Sequence, residues 1–276
     1  MQSRFDVIVI GGGHAGVEAA WAAANLLAGR ERGRSGGGGE GRTASAPPVA
    51  LVTLDPSKIG VMSCNPAIGG LAKGQIVREI DAMGGVMGLA ADASGIQFKV
   101  LNTSKGPAVH GPRAQCDKHA YARAVQALIA SRPDIAVIGG SVERLVVESG
   151  TIAGVIVTST EGHSLALAAP AVVLTTGTFM RGLMHTGESQ TPGGRFGEAA
   201  AVGISGALRE LGFELGRLKT GTPPRLKQGT IDWENLAPAP GDERPVPFSD
   251  LSGLASLGLL AEVPGAPEAP SLARFP

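Results

Sequence analysis

Cysteine is scarce in this chain of 276 residues: only Cys64 and Cys116 occur, 52 positions apart and with no C-x-x-C pair. That argues against a disulfide framework or a zinc knuckle, and it fits the reducing cytosol. Net charge is lacking too, since 24 basic side chains balance 24 acidic ones. Bulk charge offers no attraction to nucleic acid or an anionic membrane, and such binding would need a local basic patch. No apolar run approaches the roughly 20 residues that a membrane helix needs. The N-terminus MQSRFDVIVIGGG enters a strand pattern at once, without the basic region and apolar core of a secretory signal. These absences predict a cytoplasmic protein with no membrane partner. With 43% apolar and 17% charged residues the composition is ordinary for a globular protein, and the length suits one large or two modest domains.

What is present begins with FDVIVI, a β-branched run over Phe5 to Ile10 that three glycines stop, followed by the alanine-rich helical pattern GVEAAWAAANLLA. GRERGRSGGGGEGRTASAPP, Gly29 to Pro48, has no apolar face and reads as a solvated, flexible insertion. VALVTL, Val49 to Leu54, is a second buried strand, and a helix is predicted from about Ala72 to Met83. Another helix is expected through RAQCDKHAYARAVQALIAS. DIAVIGG, VERLVVES, TIAGVIVTST and SLALAAP then read as a strand followed by an antiparallel meander. AVVLTTGT, Ala171 to Thr178, is a late apolar strand. Beyond it the pattern offers one helix, one short strand and a basic Gly-Pro turn, and Lys227 to Pro276 reads as mostly irregular. The fold class is α/β: a Rossmann-like domain over 1–226 with the insertion at 29–48 and a β-rich excursion at about 134–170. Residues 227–276 would open an incomplete further region, so the fold is expected to be cut short at the C-terminus.

GGGHAG places Gly11, Gly13 and Gly16 in G-x-G-x-x-G spacing, a weak string among 42 glycines. Its context between an apolar strand and a helix strengthens it. There the first glycine allows a tight turn, the second lets a pyrophosphate approach the backbone, and the third lets the helix pack on the strand. The helix N-terminus then faces the phosphates. An acid about 20 residues on should bond a ribose hydroxyl. Asp55 lies 39 residues beyond Gly16 and fits only if the 20-residue insertion loops out. FAD and NAD share this fingerprint. The late strand ending in Thr175, Thr176 and Gly177 resembles the second signature of two-dinucleotide flavoproteins, which favours FAD.

Cys64 sits in VMSCNPAIGGLAKGQIVREIDAMGG, in turn chemistry rather than in an apolar run. A helix N-terminus and Lys73 nearby would favour a thiolate, and Gly69, Gly70 and Gly74 would let backbone amides approach a ligand. From residues alone, a reactive thiol beside the cofactor and a loop cysteine with no role both stand. Cys116, at helical spacing from Ala120 and Ala124, reads as a core residue. His110, His119, His163 and His185 lack metal-ligand spacing, and no metal site is predicted. Basic side chains cluster as Lys105, Arg113 and Lys118, and as Arg217, Lys219, Arg225 and Lys227. They would hold phosphates of a nucleic acid or a cofactor, or form solvated surface.

DVIVIGGGHAGVEAA, MSCNPAIGGLAKGQIVREIDAMGG, GIQFKVLNTSKGPAV, RAQCDKHAY, VVLTTGTF and GRLKTGTPPRL follow one another as in the GidA/MnmG family, which the chain resembles from about Phe5 to Ser252. That is the family of FAD-dependent tRNA uridine 5-carboxymethylaminomethyl modification enzymes. The resemblance implies a flavoenzyme that works as a homodimer with a partner GTPase on C5 of the wobble uridine of tRNA. Methylenetetrahydrofolate would supply the carbon, NADH the reducing equivalents, and glycine or ammonium the amine. By position, Gly11, Gly12, Gly13, His14, Ala15 and Gly16 would cradle the FAD pyrophosphate, Val142 would meet the adenine through its backbone, and Thr176 and Gly177 would border the cofactor. Cys64 matches one of two family cysteines and would add to C6 of the uracil. The flavin-contacting serine of the family is Pro192 here, and the second cysteine has no counterpart before Pro276. Two alternatives stand beside this reading: a truncated, inactive chain with at most flavin binding, and a flavoprotein oxidoreductase for a small molecule.

Overall fold

In the computed structural model the described residues are 3–35, 47–63, 65–224 and 226–256. In chain order, β1 (Ser3–Arg4) and β2 (Val7–Ile10) lead through the glycine turn into α1 (His14–Ser35), and β3 (Val49–Thr53) follows. Then come β4 (Ala67–Gly69), α2 (Lys73–Ala82), α3 (Met87–Ser94), β5 (Gly95–Leu101), β6 (Gly111–Cys116) and α4 (Lys118–Ala130). The long β7 (Ile135–Glu148) precedes β8 (Thr151–Ser159), β9 (Ser164–Ala168) and β10 (Val172–Leu174). A hairpin of β11 (Leu183–Thr186) and β12 (Ser189–Pro192), then α5 (Gly203–Glu210) and α6 (Asp250–Ser256), complete the order. By packing, the chain divides into one compact unit of residues 1–60 and 125–217 and another of 61–124 and 218–276. Residues 227–256 therefore belong with 61–124, a division that composition alone does not suggest.

The first unit is built on a seven-stranded sheet in the order β1-β9-β8-β7-β3-β2-β10. β7, β3, β2 and β10 run parallel, with Val49–Thr53 alongside Ile135–Gly139 and Ile8–Ile10 alongside Val172–Leu174. Every residue of β3 is buried, because helices cover both faces of a parallel sheet and leave no solvent side for polar alternation. Ile8, Ile10, Ala50 and Val52 point to one face, where Val142, Val155, Val157, Ile204 and Leu208 join them in a single core. Val9, Leu51, Val17, Ala20 and Ala24 are buried as well, with α1 packed on β2 and β3. DIAVIGG and VERLVVES form one strand rather than two. Its first part pairs with β3, and from Gly140 it pairs antiparallel with β8, so β7 carries the sheet from the parallel core into the meander. Gly140 permits that change of partner, since a Cβ there would lie 2.5 Å from the Thr158 carbonyl oxygen.

Several expectations need correction. α1 does not stop at Gly29 but continues to Ser35. Once nucleated, a helix of Ala, Leu, Arg and Glu carries an isolated glycine at a cost of about 1 kcal/mol. Residues 36–46 of the expected insertion lie outside the described residues. The late apolar strand β10 lies at the edge of the sheet and covers Val172–Leu174 only, with Val173 and Leu174 37% and 38% exposed. The β11–β12 hairpin is a strand pair that sequence reading missed, and no strand forms among the described residues of 211–227.

The second unit holds a three-stranded antiparallel sheet in the order β4-β6-β5. RAQC is its central strand, not the start of a helix. Ala114 and Cys116 turn inward with a period of two, and neighbours on both sides satisfy the backbone. The helix waits for Asp117, whose side chain accepts from the N–H groups of His119 and Ala120 at 2.8 Å and caps α4. The later segment of this unit is irregular yet anchored. Asp242 accepts from Val100 N at 2.8 Å and donates its own N–H to Phe98 O at 2.8 Å. Asp92, buried in α3, accepts from Phe248 N and Ser249 N at 2.7 and 2.9 Å, and burial holds its carboxyl above the ordinary value.

Candidate functional site

In the first unit the carboxyl ends of β2, β3 and β10 deliver the glycine turn, Asp55 and the Thr175–Gly177 segment to the same edge of the parallel sheet. Each glycine of the fingerprint has its own physical requirement. Gly11 has φ +117, and a Cβ there would stand 2.3 Å from the Thr175 carbonyl oxygen. A Cβ on Gly16 would stand 1.7 Å from Gly11 O, so the first turn of α1 lies directly against the strand end. Gly12 is closed in by Thr53 Oγ1, 2.6 Å from its ideal Cβ position, and its carbonyl accepts from Gly60 N at 3.0 Å. Gly13 differs. A Cβ on it would meet nothing within 4 Å, and both Gly13 and Ala15 are exposed. Protein packing thus accounts for glycine at 11, 12 and 16, whereas at Gly13 the space in front of the backbone is left open.

The opening at Gly13 lies at the N-terminus of α1, a 22-residue helix with no acidic side chain in its first turn. The positive end of the helix dipole therefore faces that space with no acidic side chain of the first turn beside it, which suits an anionic group such as a pyrophosphate. These residues fit a dinucleotide. Thr175 holds the turn in shape: its N–H and Oγ1 donate to Ile10 O at 2.8 and 2.7 Å, and Oγ1 lies 3.3 Å from Gly11 O. Gly177, exposed with φ +56, also has nothing within 4 Å of an ideal Cβ.

Asp55 lies two residues past the end of β3. Its Oδ1 accepts from Ser57 N at 2.8 Å and caps a short 3-10 turn. The bonds from Ser57, with Lys58 adding less, hold its carboxyl below the ordinary value, so the group is an anionic acceptor at neutral pH. Val142 is buried in β7, paired with Val157 and beyond Gly139, where the pairing with β3 ends. The turn, Asp55, Val142, Thr176 and Gly177 all belong to this one unit.

The thiol motif belongs to the other unit. Cys64 itself lies outside the described residues. The chain from Asn65 does not run straight to a helix but first forms β4, and Ala72, with φ +61, turns it into α2. Of the three glycines expected to admit a ligand, two are needed for packing. Ideal Cβ atoms on Gly69 and Gly74 would stand 2.1 and 2.6 Å from Pro112 O. Gly70 alone faces open space. Lys73 Nζ donates back to Ala67 O at 3.4 Å. Cys116 is 2% exposed and its Sγ lies 3.7 Å from Ala114 O; burial pushes the thiol up, as befits an inert core residue.

Residues 6–255 match the sequence model of the family described as glucose inhibited division protein A. The chain belongs to that family. Among curated GidA-family relatives, the tRNA uridine 5-carboxymethylaminomethyl modification enzyme MnmG of Granulibacter bethesdensis is 50% identical over 253 residues, 91% of this chain and 37% of the relative. The enzyme of the same name from Rhodopirellula baltica is 48% identical over 262 residues, again 91% and 37% of the two chains. The crystal structure of Aquifex aeolicus GidA in its form I superposes with a TM-score of 0.77 at 44% identity, covering 90% of this chain and 37% of that one. The chain thus spans little more than a third of the length of these GidA-family relatives, and its α/β fold is that of their corresponding portion.

Sequence reasoning missed Thr53 and Thr175 as the hydroxyls that wall the glycine turn, and Asp92 as a buried acid. Thr175 stood in the quoted TTG string, but nothing in one sequence shows a hydroxyl turning back on a strand 165 residues earlier.

Proposed function

We propose that this chain is the FAD-binding portion of a cytoplasmic enzyme that modifies C5 of the wobble uridine in tRNA. The match over residues 6–255 carries the reading, because relatives that share this region are named as tRNA uridine 5-carboxymethylaminomethyl modification enzymes. The open cradle at Gly13 supports the cofactor assignment. Gly11, Gly12, Gly13, His14, Ala15 and Gly16 form the cradle of the pyrophosphate, Gly11 shaping the turn with its N–H held by Val52 O at 2.8 Å. The Asp55 carboxylate accepts a ribose hydroxyl, and the Val142 backbone meets the adenine. Thr176 and Gly177 border the same ligand. FAD, when bound, supplies two-electron redox chemistry, with NADH as the source of electrons.

The Cys64 thiolate adds to C6 of the uracil, which makes C5 nucleophilic toward a one-carbon unit from methylenetetrahydrofolate, and the thiolate leaves when the C5 proton is removed. Glycine or ammonium supplies the amine. The enzyme acts as a homodimer with a GTPase partner. Disrupting the gene should remove the 5-carboxymethylaminomethyl group from wobble uridines, read by mass spectrometry of tRNA nucleosides. Restoring the gene with Cys64→Ser should leave FAD bound and the group absent. Unchanged nucleosides in the disrupted strain would overturn the assignment.

A further inference from the structure

Arg217 belongs to a basic cluster that the glycine turn does not use, and the first unit gives it a neighbour, Arg181, in the loop after the carboxyl end of β10. Arg181 takes a left-handed backbone, φ +46, held by its N–H to Ala201 O at 2.8 Å. Its Nε donates to Ser205 Oγ at 2.8 Å, and Ser205, 2% exposed, is itself fixed by donating to Val202 O at 2.9 Å. Arg217 Nη1 donates to the carbonyl of Arg181 at 3.3 Å. Two arginines are thus brought to one exposed loop.

Their partners set them apart from two other arginines of the unit that hold carboxylates. Arg132 holds the Asp134 carboxylate through two bonds of 2.8 and 2.7 Å, and Arg195 holds Glu198 through two of 2.7 Å. Arg181 and Arg217 hold only a hydroxyl and a carbonyl, which leave their charge uncompensated, and among the described residues neither joins an ion pair. Among the described residues, neither terminal nitrogen of Arg181 donates a hydrogen bond, which leaves both for another acceptor. A pair of forked donors fixed by neutral groups matches a phosphate ester, whose oxygens take bidentate charge-assisted bonds.

We propose that Arg181 and Arg217 form a phosphate grip for a ligand of the reaction: a phosphodiester of the RNA, or the pyrophosphate of the dinucleotide. The identity of those ligands rests on the function proposed above. The test compares the full chain with Arg181→Gly, Arg217→Ala and the double variant in titrations with tRNA transcript and, separately, with FAD. Glycine is suited to φ +46, so Arg181→Gly removes the guanidinium without straining the loop. With the phosphate on RNA, tRNA affinity falls about tenfold or more in the double variant, the slope of log K against log salt falls by roughly 1–2, and FAD binding is unchanged. With the phosphate on the dinucleotide, FAD affinity falls and the tRNA slope stays. A double variant that binds both ligands as wild type does overturns the grip alone. A wild-type chain that binds neither overturns the proposed function and the grip with it.

Discussion

Two glycines three residues apart in the same turn should fail in opposite ways. In Gly16→Ala the new methyl would stand 1.7 Å from Gly11 O and 2.7 Å from Thr175 Oγ1. One obstacle is backbone and the other a hydroxyl already bonded to Ile10 O, so neither can swing aside as a flexible side-chain end would. To restore an ordinary contact, α1 must lift off β2 by about 1.5 Å, which puts the cost at about 3 kcal/mol, the upper end for overpacking. In Gly13→Ala the methyl meets nothing within 4 Å and the backbone needs no positive φ. Its effect on stability should stay within about 0.5 kcal/mol. Yet that methyl occupies the space assigned to the pyrophosphate, and a loss of about 2 kcal/mol of binding would weaken FAD roughly 30-fold. Denaturant unfolding monitored by circular dichroism and FAD titration monitored by quenching of flavin fluorescence measure the two quantities separately. If Gly13→Ala bound FAD as tightly as wild type, or lost as much stability as Gly16→Ala, the assignment of the open space to the cofactor would be refuted.

Cys116 should resist thiol reagents in the folded protein, because burial both hides it and raises its pKa. In a Cys64→Ser background, rapid labelling by a disulfide reagent at pH 8 without denaturant would contradict this. Asp92 gives a pH prediction. Burial raises its folded pKa above the ordinary 3.8, so the folded state holds the proton more tightly than the unfolded one. Its contribution to stability is fully present below 3.8 and is lost as pH rises through the folded value. Asp92→Asn should remove that decline from the pH profile of unfolding, and an unchanged profile would show that another group sets it. Asp55→Ala should weaken FAD by about tenfold, from the loss of one charge-assisted bond, while leaving the fold intact. Equal affinity in a titration would remove Asp55 from the site.

The parallel core was legible because its signals are local. Val7–Ile10 and Val49–Thr53 are short β-branched runs bounded by turn residues, and G-x-G-x-x-G between strand and helix fixes what each glycine must do. The spacing from Gly16 to Asp55 was read through composition, as a looped-out segment over 29–48, but its first part, to Ser35, continues α1 and residues 36–46 lie outside the described residues. RAQC was misread because four residues with Ala and Cys two apart satisfy a strand period as well as a helical one. Only pairing with β4 and β5 decides between them. The irregular stretch after Lys227 was opaque for a different reason. Its order comes from side chains such as Asp242, Asp92 and Arg78 that bond its backbone or its ends, and such contacts, with partners more than 140 residues apart, leave no periodic trace. The same holds for Gly69 and Gly74, which read as openings for a ligand and are in fact closed by Pro112.

The most direct test of the central claim is a map of backbone amide chemical shifts of the full chain on addition of FAD. The account predicts that Gly12, Gly13, His14, Ala15 and Gly16 shift together and saturably, with Asp55 and Gly177 among the next most affected. Saturable binding that leaves the 11–16 amides unmoved, or no binding at all, would contradict it.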